Sequence, residues 1–107
     1  MSRYTLTRSA ELDIAEIWDH VAADNPSAAD SLMDQFYGRF RRLSRMPRMG
    51  AVHPDLEGEV RFAVVGQYVI LYKAREDDVL VLRILHGRRD IRLVFRDEPI
   101  DEEQETD

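Results

Sequence analysis

A chain of 107 residues has room for one domain with a modest core. It has no cysteine, which excludes disulfides and thiolate chemistry, and neither a signal-peptide core nor a run of about 20 apolar residues that would span a membrane, so a cytoplasmic protein without a membrane partner is expected. The net charge of −6 argues against nucleic acid only until it is mapped: residues 97–107 hold seven acids and no base, which leaves residues 1–96 with 15 bases against 14 acids. The expectation is a single folded body over 1–96 and an acidic, disordered tail over 97–107.

Tyr4 and Leu6 alternate with Arg3, Thr5 and Thr7, the pattern of a short strand with one face in a core. Ser9 is then placed to cap a helix with Glu11 and Asp13 in its first turn, where the helix dipole favours acids. Ala10, Ile14, Ile17, Trp18 and Val21 recur at helical spacing up to about Asp24. Asn25-Pro26 reads as a cap followed by a first helical residue. Ala29, Leu32, Met33, Phe36, Phe40 and Leu43 then line one face of a second helix, and so short a connection makes the two helices an antiparallel hairpin. Arg39, Arg41, Arg42 and Arg45 fall in its last turns, where cations suit the helix end whether or not they have a partner.

Pro47 to Gly58 reads as a loop, with two prolines, two glycines and His53. Three strands follow: Val60 to Val65, Tyr68 to Tyr72 and Val79 to Leu85. Gly66-Gln67 forms a two-residue hairpin turn and Glu76-Asp77-Asp78 the next turn. The fold class is therefore α+β, with order β-α-α-β-β-β and a possible last helix at Ile91, Val94 and Phe95. The helical hairpin packs on one face of a mostly antiparallel sheet. If Leu80, Leu82 and Ile84 face the helices, Val79, Val81 and Leu85 face the other way and need cover, from the last helix and from a partner chain or a second copy.

Chemistry gathers where the last strand stops, at Leu85-His86-Gly87-Arg88-Arg89-Asp90. Gly87 lets the chain turn, and two guanidiniums follow, each a rigid fork suited to phosphate or carboxylate. Fourteen of the 15 bases are arginine, which favours such planar recognition over diffuse charge. His20, His53 and His86 are scattered and no cysteine accompanies them, so no metal site is expected, and no glycine-rich phosphate loop or other cofactor motif is present. His86 has the chemistry of a general base, but its place at a strand end suits a structural role as well.

This string, preceded by Tyr68-Val69-Ile70-Leu71-Tyr72 and by Pro47-Arg48-Met49-Gly50 after two helices, resembles the ParE/RelE superfamily of bacterial type II toxins over residues 3 to 95. The resemblance implies the same α+β layout, a cognate antitoxin whose C-terminal region wraps the toxin, and a cellular target met by Arg88, Arg89 and Arg92. Val79, Val81 and Leu85 are the residues expected to meet the antitoxin. In the RelE branch, arginines and lysines hold the scissile phosphate of ribosome-bound messenger RNA and a C-terminal tyrosine assists proton transfer. Here the strand arginine of that branch is Val69 and the tyrosine is Phe95, which leaves Arg61, His86 and Arg89 as candidates for any catalytic role. Those departures match the ParE branch, whose studied members poison DNA gyrase by binding. A RelE-like messenger ribonuclease and a non-toxic module that only binds an antitoxin are the alternatives.

Overall fold

The computed structural model of the chain describes residues 3–97 and 105–106. The first strand, β1 (Tyr4–Thr7), runs straight into the first helix, α1 (Arg8–Ala22), and Thr7 makes the junction. Its hydroxyl accepts the Ala10 N–H at 3.1 Å and donates to the Leu82 carbonyl at 2.8 Å. The cap expected at Ser9 is therefore Thr7, because a buried hydroxyl there satisfies a helix donor and a strand acceptor together. Trp18, read as part of the apolar stripe, lies at its rim and reaches Asp30 through its indole N–H.

The second helix, α2 (Pro26–Arg45), begins as the sequence dictates, with Asn25 Oδ1 accepting the Ala28 N–H and Pro26 at the first helical position. Ala29, Phe36, Phe40 and Leu43 are fully buried, and Leu32 and Met33 pack against the same cluster. After α2 come β2 (Ala51–Val52), β3 (Arg61–Val65), β4 (Tyr68–Ala74), β5 (Val79–His86) and a short helix α3 (Ile91–Asp97); β6 (Glu105–Thr106) closes the order. Among the described residues the sheet runs β2-β3-β4-β5-β1-β6, and only the β1–β5 pair is parallel. It is the expected α+β domain, with one addition: β2 forms inside the stretch read as loop, pairing Ala51 with Phe62 and Val52 with Arg61.

The sheet separates two apolar clusters. Under the helical hairpin lie Leu6, Phe36, Phe40, Ile70, Tyr72, Val79, Val81 and Ile84. On the other face lie Leu71, Leu80, Leu82, Leu85 and Val94, with Ile91 and Phe95 of α3 packed against them. The expected facing of β5 is thus inverted over its first half: Val79 and Val81 face the helices, and Leu80 and Leu82 face α3. The cause is a bulge. Tyr72 pairs with Val81 while Leu71 pairs with Arg83, so one extra residue sits in β5 and the alternation slips, which leaves Ile84 and Leu85 where they were expected.

Beyond Leu6 no strand among the described residues lies beside the edge of β5, because the chain has turned into α1. Side chains take over its ladder. Thr7 serves the Leu82 carbonyl, and Asp13 of α1 accepts the Ile84 N–H at 2.9 Å. The same Asp13 carboxylate receives a two-pronged bond from Arg83, at 2.7 and 3.0 Å, and both residues are only 8% exposed. Of the tail, Asp97 ends α3 and Glu105–Thr106 pair with β1, Leu6 opposite Thr106 and Thr7 opposite Glu105. The remainder of the stretch read as disordered lies outside the described residues.

Candidate target-binding tip

Strand pairing brings two loops to one end of the sheet. The β3–β4 hairpin turns on Gly66 and Gln67, with Val65 paired to Tyr68 and Gly66 at φ +57°, a conformation that glycine takes without strain. Tyr68 pairs with His86, so Gln67 lies beside the residues that follow β5. Its carbonyl accepts the Gly87 N–H at 2.8 Å. A Cβ at Gly87 would come within 3.3 Å of that carbonyl, tighter than a side-chain carbon normally sits, so the close approach calls for glycine.

The turn that follows is held donor by donor. His86 Nδ1 accepts the Arg88 N–H at 3.1 Å and the His86 carbonyl accepts the Arg89 N–H at 3.0 Å. With Nδ1 an acceptor, the neutral imidazole carries its proton on Nε2, which lies 3.1 Å from Gln67 Oε1 and donates to it. The ring stands edge-on to Tyr68, with centroids 5.5 Å apart. Asp90 then caps α3, its Oδ1 accepting the Arg92 N–H at 3.1 Å and the Leu93 N–H at 3.4 Å. The acid of Gly87-Arg88-Arg89-Asp90 is thus a helix cap, which the sequence reading missed; an Asp directly before the apolar spacing of Ile91, Val94 and Phe95 was the signal.

Arg88, Arg89 and Arg92 are all exposed on this frame. Arg92 lies 3.8 Å from Asp90 across largely exposed surface, a contact of little energetic weight. Arg89 also forms the lip of a surface groove of about 290 Å³, lined by Glu16, Ile17 and His20 of α1 and by Tyr68 and Leu85 of the sheet. A larger open groove, about 700 Å³, lies at the opposite end of the sheet, between Met46–Met49 and the turn after β4. The tip is the better candidate: Arg88 and Arg89 on the turn and Arg92 at the start of α3 are cations with no acid among them but Asp90, whereas the larger groove is lined by Met46, Pro47, Met49 and Ala74 with Arg48, Arg75 and Glu76.

The other candidates fall elsewhere. Arg61 donates to the Gly50 carbonyl at 2.7 Å, far from the tip. Beside it Tyr72 donates to the Pro47 carbonyl and accepts the Gly50 N–H. Burial pushes the Tyr72 pKa up, against the lowering effects of the Gly50 N–H and the Arg61 charge, so the hydroxyl keeps the proton it donates. A Cβ on Gly50 would stand 2.5 Å from the Tyr72 hydroxyl, and this explains the Pro47-Arg48-Met49-Gly50 string as a structural clasp. Arg39 donates to the Val64 carbonyl and ties α2 to β3, while Arg41, Arg42 and Arg45 are exposed.

Val79 and Val81 have no exposed surface and sit under the helices, and Leu85 is closed over by α3, so the antitoxin contact expected of these three is not available on the folded surface. Val69 and Phe95, which stand where the RelE branch has arginine and tyrosine, are both packed into the α3-side cluster. Among the described residues, no three His, Asp or Glu side chains come together in a way that could hold a metal ion.

The model of the ParE toxin of type II toxin-antitoxin systems, parDE, matches residues 4–91. The chain belongs to that family. Toxin ParE3 of Caulobacter vibrioides is 32% identical over 92 residues, which cover 85% of this chain and 92% of the relative. A solved structure described as the chromosomal ParDE TA system from P. aeruginosa shares the fold, with a TM-score of 0.67 at 22% identity over 80% of this chain and 96% of that one. The matched span takes in both loops of the tip and ends at the first residue of α3.

Proposed function

We propose that this ParE-family toxin acts by binding DNA gyrase through the tip formed by Arg88, Arg89 and Arg92, and that a cognate antitoxin neutralises it in the cytoplasm. The observation that carries the reading is that Val69 and Phe95, both half-buried, pack against the apolar cluster on the α3 side of the sheet. A valine holds no phosphate and a phenylalanine exchanges no proton, so the two positions that serve RNA cleavage in the RelE branch are here spent on packing. A positioned proton-transfer group typically contributes about 10²–10⁴-fold in rate and a preorganised charge contact a further ~10²–10³-fold. Little useful nuclease activity is expected after losing both. Two of the three remaining candidates point the same way, since both ring nitrogens of His86 are engaged in the turn and Arg61 is engaged with Gly50.

Induced expression tests the choice of target. The reading expects growth arrest with a DNA-damage response and intact ribosome-bound messenger. Position-specific cuts in translated messenger, without a DNA-damage response, would assign the protein to the RelE mode. No arrest at all would leave an antitoxin-binding module.

A further inference from the structure

We infer that Gln67 and His86 are positioning residues for the arginine tip: together they fix the turn that presents Arg88 and Arg89, and neither meets the target itself. The inference rests on the reading that the tip is the target-binding site, and it adds residues outside the arginine cluster. Each backbone N–H of Gly87, Arg88 and Arg89 has an acceptor, and all three acceptors belong to Gln67 or His86. Gln67 holds the turn twice, by its carbonyl on Gly87 and by its side-chain oxygen on His86 Nε2.

The second of these bonds has a use beyond its own strength. A neutral imidazole donating at Nε2 to Gln67 Oε1 presents Nδ1 as an acceptor, which is what the Arg88 N–H requires. The Arg88 N–H, which can only donate, sets this tautomer, and Gln67 Oε1 holds the ring in place by accepting the Nε2 proton. Tyr68, edge-on to the ring, and the closeness of the Gly87 backbone to Gln67 limit how far the assembly can rotate. The turn is therefore ordered from the β3–β4 hairpin, although the arginines follow β5. Long arginine side chains lose much rotamer freedom on binding, so a backbone fixed beforehand reduces what the encounter must order.

Three variants of the full chain separate positioning from contact. His86→Ala removes the acceptor for Arg88, Gln67→Ala leaves the ring without its Nε2 partner, and His86→Asn restores an acceptor two residues before Arg88, as asparagine does in turns. Each is read by amide exchange at Arg88 and Arg89, by thermal melting, and by inhibition of supercoiling by purified gyrase. Loss of one such hydrogen bond corresponds to roughly three- to tenfold weaker inhibition. The expected pattern is faster exchange and that weakening for His86→Ala and Gln67→Ala, with melting nearly unchanged and His86→Asn close to wild type in both readouts. Full inhibition by His86→Ala despite freed amides overturns the proposal. So does a His86→Asn variant as defective as His86→Ala while its amides stay protected, because His86 would then touch the target directly. Failure of the parent reading looks different: wild-type protein without effect on gyrase, or Arg88→Ala/Arg89→Ala inhibiting as well as wild type, removes the tip from the account, and this inference with it.

Discussion

Asp13 places both carboxylate oxygens on groups with little access to water, the Arg83 guanidinium and the Ile84 N–H at the uncovered edge of β5. Breaking a buried ion pair by removing one partner leaves the other charge desolvated, which typically costs about 3–5 kcal/mol. Asp13→Asn should therefore lower unfolding stability by about that much in a denaturant titration, and a loss under about 1 kcal/mol would show that water reaches the pair. Tyr72→Phe is a smaller case. It leaves the Gly50 N–H and the Pro47 carbonyl without their partner, for an expected loss of about 1–3 kcal/mol. Neither role was legible in the sequence, where Asp13 reads as an ordinary first-turn acid and Tyr72 as one more strand residue. Partners 70 and 22 positions away leave no local trace.

At the scale of elements, the apolar periodicity of α2 and the pair Asn25-Pro26 gave helix, cap and buried face correctly, because those signals are local. The strand β5 resisted for a physical reason: apolar on both faces, its sequence shows no alternation, and a bulge that reverses facing midway leaves no mark. At the turn before it, Asp78 ties the turn to β1, accepting from Arg75 in the turn and from Thr5 in β1. The Arg75 bond is the largest influence and, with Thr5, holds the Asp78 carboxyl below its ordinary range against the opposing effect of burial. The folded state therefore takes up this proton less readily than the unfolded state. The stabilisation is fully present above the unfolded pKa and is lost as the pH falls below about 4 and through the folded value. Asp78→Asn should flatten that part of the acid limb of stability against pH; an acid limb unchanged from wild type would place the acid sensitivity elsewhere.

For the whole molecule, the described members of the two clusters all lie within residues 4–95, on either side of one sheet. Deleting residues 98–107 removes none of these described members, so the melting temperature should fall by no more than a few degrees. A drop beyond about 10 °C would mean that the β6–β1 pairing carries real weight. The sheet, the hairpin and the location of the tip follow from sequence because they rest on periodicity and turn chemistry, while the clamp of Gln67 on His86 depends on a register visible only after folding. On the function proposed above, this fold presents arginines for binding and performs no cleavage. Supercoiling by purified gyrase, measured with wild type and with Arg88→Ala/Arg89→Ala, tests it most directly. The account predicts inhibition by wild type and its loss in a double variant that melts like the parent; equal inhibition by both proteins, or an unaffected gyrase beside cleaved messenger, would contradict it.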